Sequence, residues 1–161
     1  MTSKEYNQSV ENYSDSIFRF ILSNIKDKDL AKDIVQDTFE KLWIKLQSVD
    51  FEKVKSYLFT TAYHTLVDIV RRQKHVTGLE SKNMNNMKYE SEYSDLQEVL
   101  HKAIDKLPED QRSVLLLRDY EGYTYDEIAE ITGLNESQVK VYIYRARKFL
   151  KEFVVKMEYV I

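Results

Sequence analysis

From Asn12 to about Lys74 the apolar residues return three or four positions apart: Ile17, Phe20 and Ile21; Ile34, Val35, Phe39, Leu42, Trp43 and Leu46; Tyr57, Leu58, Ala62, Leu66 and Ile69. This spacing predicts three main helices. Breaks fall near 24–29 and 47–55, where Asp, Asn, Lys and Ser cluster without periodic apolar residues, and a short helix fits in the second break. From Val76 to about Asp95 the stretch VTGLESKNMNNMKYESEYSD has no apolar face and reads as a linker with a domain boundary. Helical spacing resumes over 96–106. Pro108 with Glu109 and Asp110 then opens a further helix expected to run to about Asp119, since Pro suits a first turn and acids its positive end.

The segment Thr124–Leu150, TYDEIAEITGLNESQVKVYIYRARKFL, carries more information. Thr124 followed by Glu127 forms a capping box, which starts a helix with Ile128, Ala129 and Ile131 along its buried side. Gly133 ends that helix, because it adopts the left-handed backbone of a tight turn, and Leu134 plugs the angle. Asn135, supported by Gln138, caps the next helix, whose Val139 and Ile143 face back. Ala129, Gly133 and Val139 stand where a helix-turn-helix needs a close contact, a turn and a core contact. The other face of the second helix offers Ser137, Gln138, Lys140, Val141, Tyr144, Arg145, Arg147 and Lys148 outward. Polar residues in its first turns suit base edges in a major groove, and its cations suit phosphates.

Composition narrows the picture. With three Gly and one Pro in 161 residues, the many turns of a strand-rich fold are not provided for, and an all-α fold is expected. The absence of Cys excludes disulfides, thiolate metal sites and Cys nucleophiles, and the three scattered His make a histidine metal site improbable. No metal, cofactor or catalytic residue is expected. No basic stretch leads into an apolar run at Met1–Asn12, and no apolar segment approaches ~18 residues, so a cytoplasmic protein without membrane insertion is expected. The net charge of -3 hides an uneven distribution: Ser137–Lys151 is basic without an acid, whereas Asp119, Glu121, Asp126, Glu127 and Glu130 crowd the stretch before it. Arg71, Arg72 and Lys74 form a second basic group, which would also offset the dipole at a helix C-terminus.

These motifs resemble a known family. Leu107–Leu150 is similar to the C-terminal domain of the extracytoplasmic-function (ECF) sigma factors, the smallest members of the sigma-70 family. DKDLAKDIVQDTFEKLW, Asp27–Trp43, resembles that family's core-polymerase-binding helix, and SYLFTTAYHTLVDIVRR, Ser56–Arg72, its helix for the promoter minus-ten element. The resemblance implies a non-enzymatic bacterial initiation factor that joins core RNA polymerase and directs it to promoter DNA. It divides the chain into region 2 at 1–75, a flexible linker at 76–95 and region 4, with the helix-turn-helix for the minus-thirty-five element, at 96–161. Twenty linker residues extend to at most ~66 Å, enough to let the two DNA sites separate.

Each segment has a physical reading beside the resemblance. Asp33, Gln36, Asp37 and Glu40 lie three or four apart and form an acidic, outward face opposite Ile34, Val35, Thr38, Leu42 and Leu46. Such a stripe suits a basic partner, which the resemblance supplies as the coiled-coil clamp helices of the largest polymerase subunit. Phe39 and Trp43 either pack under the stripe or add an apolar anchor to this polymerase-binding set; for Trp43 a core position is expected. In the third helix Tyr57, Tyr63 and His64, with Phe59, lie among Lys53, Lys55, Arg71 and Arg72. Rings that stack on unpaired bases beside cations that hold phosphates are what strand opening requires. By resemblance the loop 48–55 helps capture a flipped base. Leu58, Ala62 and Leu66 are expected in the core. Tyr63-His64 and Tyr142 depart from the family's usual Arg-Asn and Arg, so promoter sequence does not transfer, whereas Asp68, Arg71, Arg72, Lys140, Arg145 and Arg147 match usual positions.

The alternative reading is a helix-turn-helix regulator that binds an operator independently of polymerase. An enzyme would need a phosphate loop or nucleophile motif that is missing here. Family members are commonly restrained by an anti-sigma factor, so one is expected as a third partner. Contact between the acidic 119–130 stretch and the basic helix of the other half is a further expectation for the free protein.

Overall fold

The computed structural model describes residues 1–77 and 95–160, and every regular element among them is helical. The linker expected at 76–95 falls almost wholly outside the described residues. The chain divides into two compact units, 1–87 and 88–161.

The first unit packs three helices. α1 spans Ser3–Ile25, α2 spans Lys28–Ile44 and α3 spans Val54–Thr77, with two single 3₁₀ turns, Leu46–Ser48 and Phe51–Lys53, between α2 and α3. The helix expected to begin near Asn12 begins at Ser3. Its start is fixed by a capping box: the Glu5 amide donates to Thr2 Oγ1 at 3.1 Å, and the Thr2 amide donates to Glu5 Oε1 at 3.0 Å. α1 ends at Lys26, which takes the left-handed backbone at φ 57°, and Asp27 then caps α2 by accepting from the Leu30 amide.

Ile17, Phe20 and Ile21 of α1, Ala31, Ile34, Phe39 and Leu42 of α2, and Val54, Leu58, Phe59, Ala62 and Leu66 of α3 form the buried core. Phe20 and Phe59 meet at its centre with ring centroids 5.7 Å apart. Truncation of either ring to Ala costs about 3–5 kcal/mol, the usual penalty for a buried aromatic. The buried hydroxyls of Ser9 and Thr38 bond along their own helices, Ser9 to the Glu5 carbonyl and Thr38 to the Ile34 carbonyl, so burial leaves neither unsatisfied.

The second unit holds α4, Asp95–Asp105; α5, Glu109–Leu115; α6, Tyr125–Thr132; and α7, Glu136–Val160. Pro108 stands just before α5 at its N-cap. The helix does not continue regularly to Asp119: Leu116–Tyr120 is a π-helical turn, in which the Glu121 amide donates to the Leu116 carbonyl at 3.1 Å. Arg112 crosses the α4–α5 corner and donates to the carbonyls of Asp105 and Leu107 at 3.3 and 3.1 Å. Leu115 and Leu117 of this stretch pack with Ile104, Ile128, Ile131, Val139 and Ile143 in one core.

Candidate functional site

Three surfaces carry the residues singled out by sequence. The first lies on α2. Asp33, Gln36 and Glu40 are exposed and Asp37 is half-buried, while Ala31, Ile34, Thr38 and Leu42 fill the opposite side. One cation sits in the stripe: Lys41 Nζ lies 3.1 Å from Asp37 Oδ2 and also reaches Thr65 Oγ1 of α3 at 3.4 Å.

The two aromatics of α2 separate. Phe39 is buried, but Trp43, expected in the core, is 52% exposed. Leu42 takes the core direction, and Trp43, one residue on, turns about 100° away from it. Its ring is held from one side by Tyr6 of α1, edge to face with centroids 5.0 Å apart. The Tyr6 hydroxyl donates to the Phe39 carbonyl, and burial first, then the nearby Glu40 carboxylate, raises its pKa. Next to Trp43, Ile44 is 75% exposed. Neither Tyr6 nor Ile44 was among the sequence candidates. For Ile44 the signal was present, since it lies four residues beyond Glu40 and so continues the stripe.

The second surface runs along α3. Tyr57, His64 and Arg71 are spaced by seven residues and so share a helix face; Tyr57 is half-buried, His64 and Arg71 exposed. Lys53 and Arg72 are exposed and Lys55 is half-buried. Arg71 Nη2 donates to Asp68 Oδ1 at 2.9 Å, which holds that guanidinium along the helix. Tyr63 is a correction: it is 7% exposed, because Phe59, Ala62, Tyr63 and Leu66 make one core stripe, so its ring is packed rather than offered to a base. It supports His64 from below, with ring centroids 5.8 Å apart. Phe59 is fully buried.

The third surface is the helix-turn-helix. Thr124 caps α6 through the expected box, with Glu127 N to Thr124 Oγ1 at 3.2 Å and Thr124 N to Glu127 Oε1 at 2.9 Å. Gly133 closes α6 at φ 82°. Asn135 and Gln138 form a second reciprocal box at the start of α7, at 3.0 and 2.8 Å. Ser137, Gln138, Lys140, Val141, Tyr144, Arg145, Arg147 and Lys148 are all exposed, and Val139, Ile143 and Ala146 are buried beneath them. The first turns of α6 and α7 also meet through Asp126 and Glu136, whose shared hydrogen bond raises the Glu136 pKa.

Two of the cations are engaged at the flank of α7. Arg147 bonds Asp119 of the π turn, which raises its pKa further, and Lys140 lies over the Tyr125 ring at 5.7 Å. The acidic stretch therefore meets the basic helix of its own unit. Among the described residues no group of His or acidic side chains is arranged to hold a metal, and no helix is long and apolar enough to cross a membrane.

Comparison with known proteins gives one pattern. The family model for Sigma-70 region 2 matches residues 10–76, and that for Sigma-70, region 4 matches residues 97–150. The ECF RNA polymerase sigma factor SigM of Bacillus subtilis is 33% identical over 144 residues, covering 86% of this chain and 88% of that protein. The RNA polymerase sigma factor SigV of the same organism is 31% identical over 145 residues, with 88% and 86% covered. Among solved structures, the sigma factor RpoE of Bartonella quintana, determined with the anti-sigma factor NepR, matches with a TM-score of 0.81 at 27% identity over 94% of this chain and 97% of that one.

Proposed function

The chain belongs to the sigma-70 family as an ECF sigma factor, an alternative sigma factor that directs core RNA polymerase to promoters, and on that premise we propose which residues meet each partner. Region 2 comprises 1–75, the linker 76–95 and region 4 96–161. Asp33, Gln36, Asp37 and Glu40 meet the basic clamp helices of polymerase, and Trp43 with Ile44 adds the apolar anchor at the end of the stripe. Lys53, Lys55, Tyr57, His64, Arg71 and Arg72 engage the opened minus-ten strand, the rings by stacking and the cations through phosphates. Ser137, Gln138, Val141, Tyr144, Arg145 and Lys148 meet the minus-thirty-five duplex.

One observation carries this assignment: α7 buries Val139, Ile143 and Ala146 and leaves its whole polar and basic face exposed, with the first turn fixed by the Asn135–Gln138 box. A helix so held enters a major groove with its first turns toward the bases. The chain performs no catalysis of its own and works in the cytoplasm beside polymerase. Its proposed restraint is an anti-sigma factor, as the complex of RpoE with NepR suggests by analogy. Both halves match sigma regions, which leaves the operator-binding regulator without support. The test is run-off transcription from fragments of the host genome with purified core polymerase. Discrete transcripts that need the added chain are expected; a pattern unchanged by the chain would overturn the reading.

A further inference from the structure

Arg147 was expected on the DNA-facing surface, yet its Nε and Nη2 both donate to the Asp119 carboxylate, at 3.1 and 2.5 Å, across 28 residues of sequence. A two-pronged guanidinium–carboxylate pair is more directional and stronger than a single charged contact. It is also superficial, with side-chain exposures of 50% for Arg147 and 34% for Asp119, so nothing in the core demands it. Asp119 belongs to the π turn, in which Leu116 and Leu117 are buried and Asp119 is exposed. Lys140, two turns before Arg147 on the same flank, lies over the Tyr125 ring, whose pocket Arg118 shares at 4.6 Å.

We propose that Asp119 is a specificity-determining residue: by neutralising Arg147 it withholds one cation from the phosphates of DNA of any sequence. Binding to random duplex is supplied by phosphate contacts, each adding about 0.9 to the slope of log affinity against log salt through counterion release. A guanidinium already paired with a carboxylate on its own protein releases no counterion. Discrimination then falls to the first turns of α7, which meet base edges. The inference rests on the reading of α7 as the duplex-binding helix.

The test titrates the full chain and its variants against a labelled random-sequence duplex from 0.05 to 0.5 M salt. Asp119→Asn keeps the shape and removes the charge. It is expected to steepen the salt slope by about 0.9, so that affinity gains about eightfold on wild type for each tenfold dilution of salt. Arg147→Ala leaves the Asp119 carboxylate bare and should bind random duplex no better than wild type, whereas the double variant, neutral at both positions, should return to the wild-type affinity and slope. Equal or weaker binding by Asp119→Asn, or a gain that survives in the double variant, would each overturn the role of Asp119. If neither wild type nor Asp119→Asn binds duplex at the lowest salt, the reading of α7 falls with it. Asp119→Ser, which also removes the carboxylate, decides the matter in the same titration if Asp119→Asn does not fold.

Discussion

The hydroxyl of Tyr6 donates to the backbone carbonyl of Phe39 at 3.0 Å, across 33 residues of sequence, and so joins the start of α1 to the end of α2 beneath Trp43. The same ring meets Phe39 edge on at 6.4 Å and Trp43 at 5.0 Å. Trp43 is thus exposed but braced, which would lower the entropic cost of the proposed contact with polymerase. Tyr6→Phe keeps the ring and removes the bond, and should lower stability by about 0.5–1.5 kcal/mol in urea titration. An unchanged midpoint would mean the bond does not bear on the fold. Because the folded state raises the Tyr6 pKa from 10.0, the folded form holds its proton more tightly. Its contribution is fully present below the unfolded pKa and is lost as pH rises through the folded one, so wild type but not Tyr6→Phe should lose this increment in alkali.

Gly133 sits at φ 82° with nothing within 4 Å of where a Cβ would stand. The cost of Gly133→Ala is therefore backbone strain without a clash, about 1–2 kcal/mol. Asn, which tolerates the left-handed region, should recover part of it. Equal stability of the Gly and Ala forms would contradict the turn geometry.

At the other end of α6, Thr124→Ala removes the acceptor of the Glu127 amide and should cost ~1 kcal/mol. The measurement is chemical denaturation of the full chain, and Thr124→Ser should stay close to wild type.

How far the sequence carried the structure follows from which residues leave a periodic trace. The helix-turn-helix was legible to single residues, because Thr124–Glu127, Gly133 and Asn135–Gln138 are local devices whose partners lie within a few positions. The start of α1 left no such trace although Thr2 and Glu5 make the same kind of box, since its first turns are mostly polar and their inward residues, Tyr6, Ser9 and Val10, include a single aliphatic one. Trp43, expected in the core, is exposed, and Tyr63, expected to face a base, is buried. Their burial depends on which neighbouring residue takes the core direction, Leu42 in one case and the Phe59–Ala62–Leu66 stripe in the other. The π turn left no trace in LLLRDY, and with it the meeting of Asp119 and Arg147 was beyond any local pattern.

Arg145 stands two residues before Arg147, about 200° round α7, and is exposed. Arg145→Ala should weaken binding to promoter duplex by about 1–3 kcal/mol if the guanidinium reads a base, or reduce the salt slope by about 0.9 if it meets a phosphate. Unchanged affinity and slope would remove Arg145 from the interface.

The central claim is that the exposed acidic stripe of α2 joins this chain to polymerase, and gel filtration with purified core RNA polymerase tests it most directly. Wild type should co-elute with the enzyme. The double variant Asp33→Lys, Asp37→Lys should elute alone, yet remain folded, because the one ion pair it loses, Asp37–Lys41, is solvent-exposed and worth about 0–1 kcal/mol. Co-elution of the folded double variant with core polymerase would contradict the account.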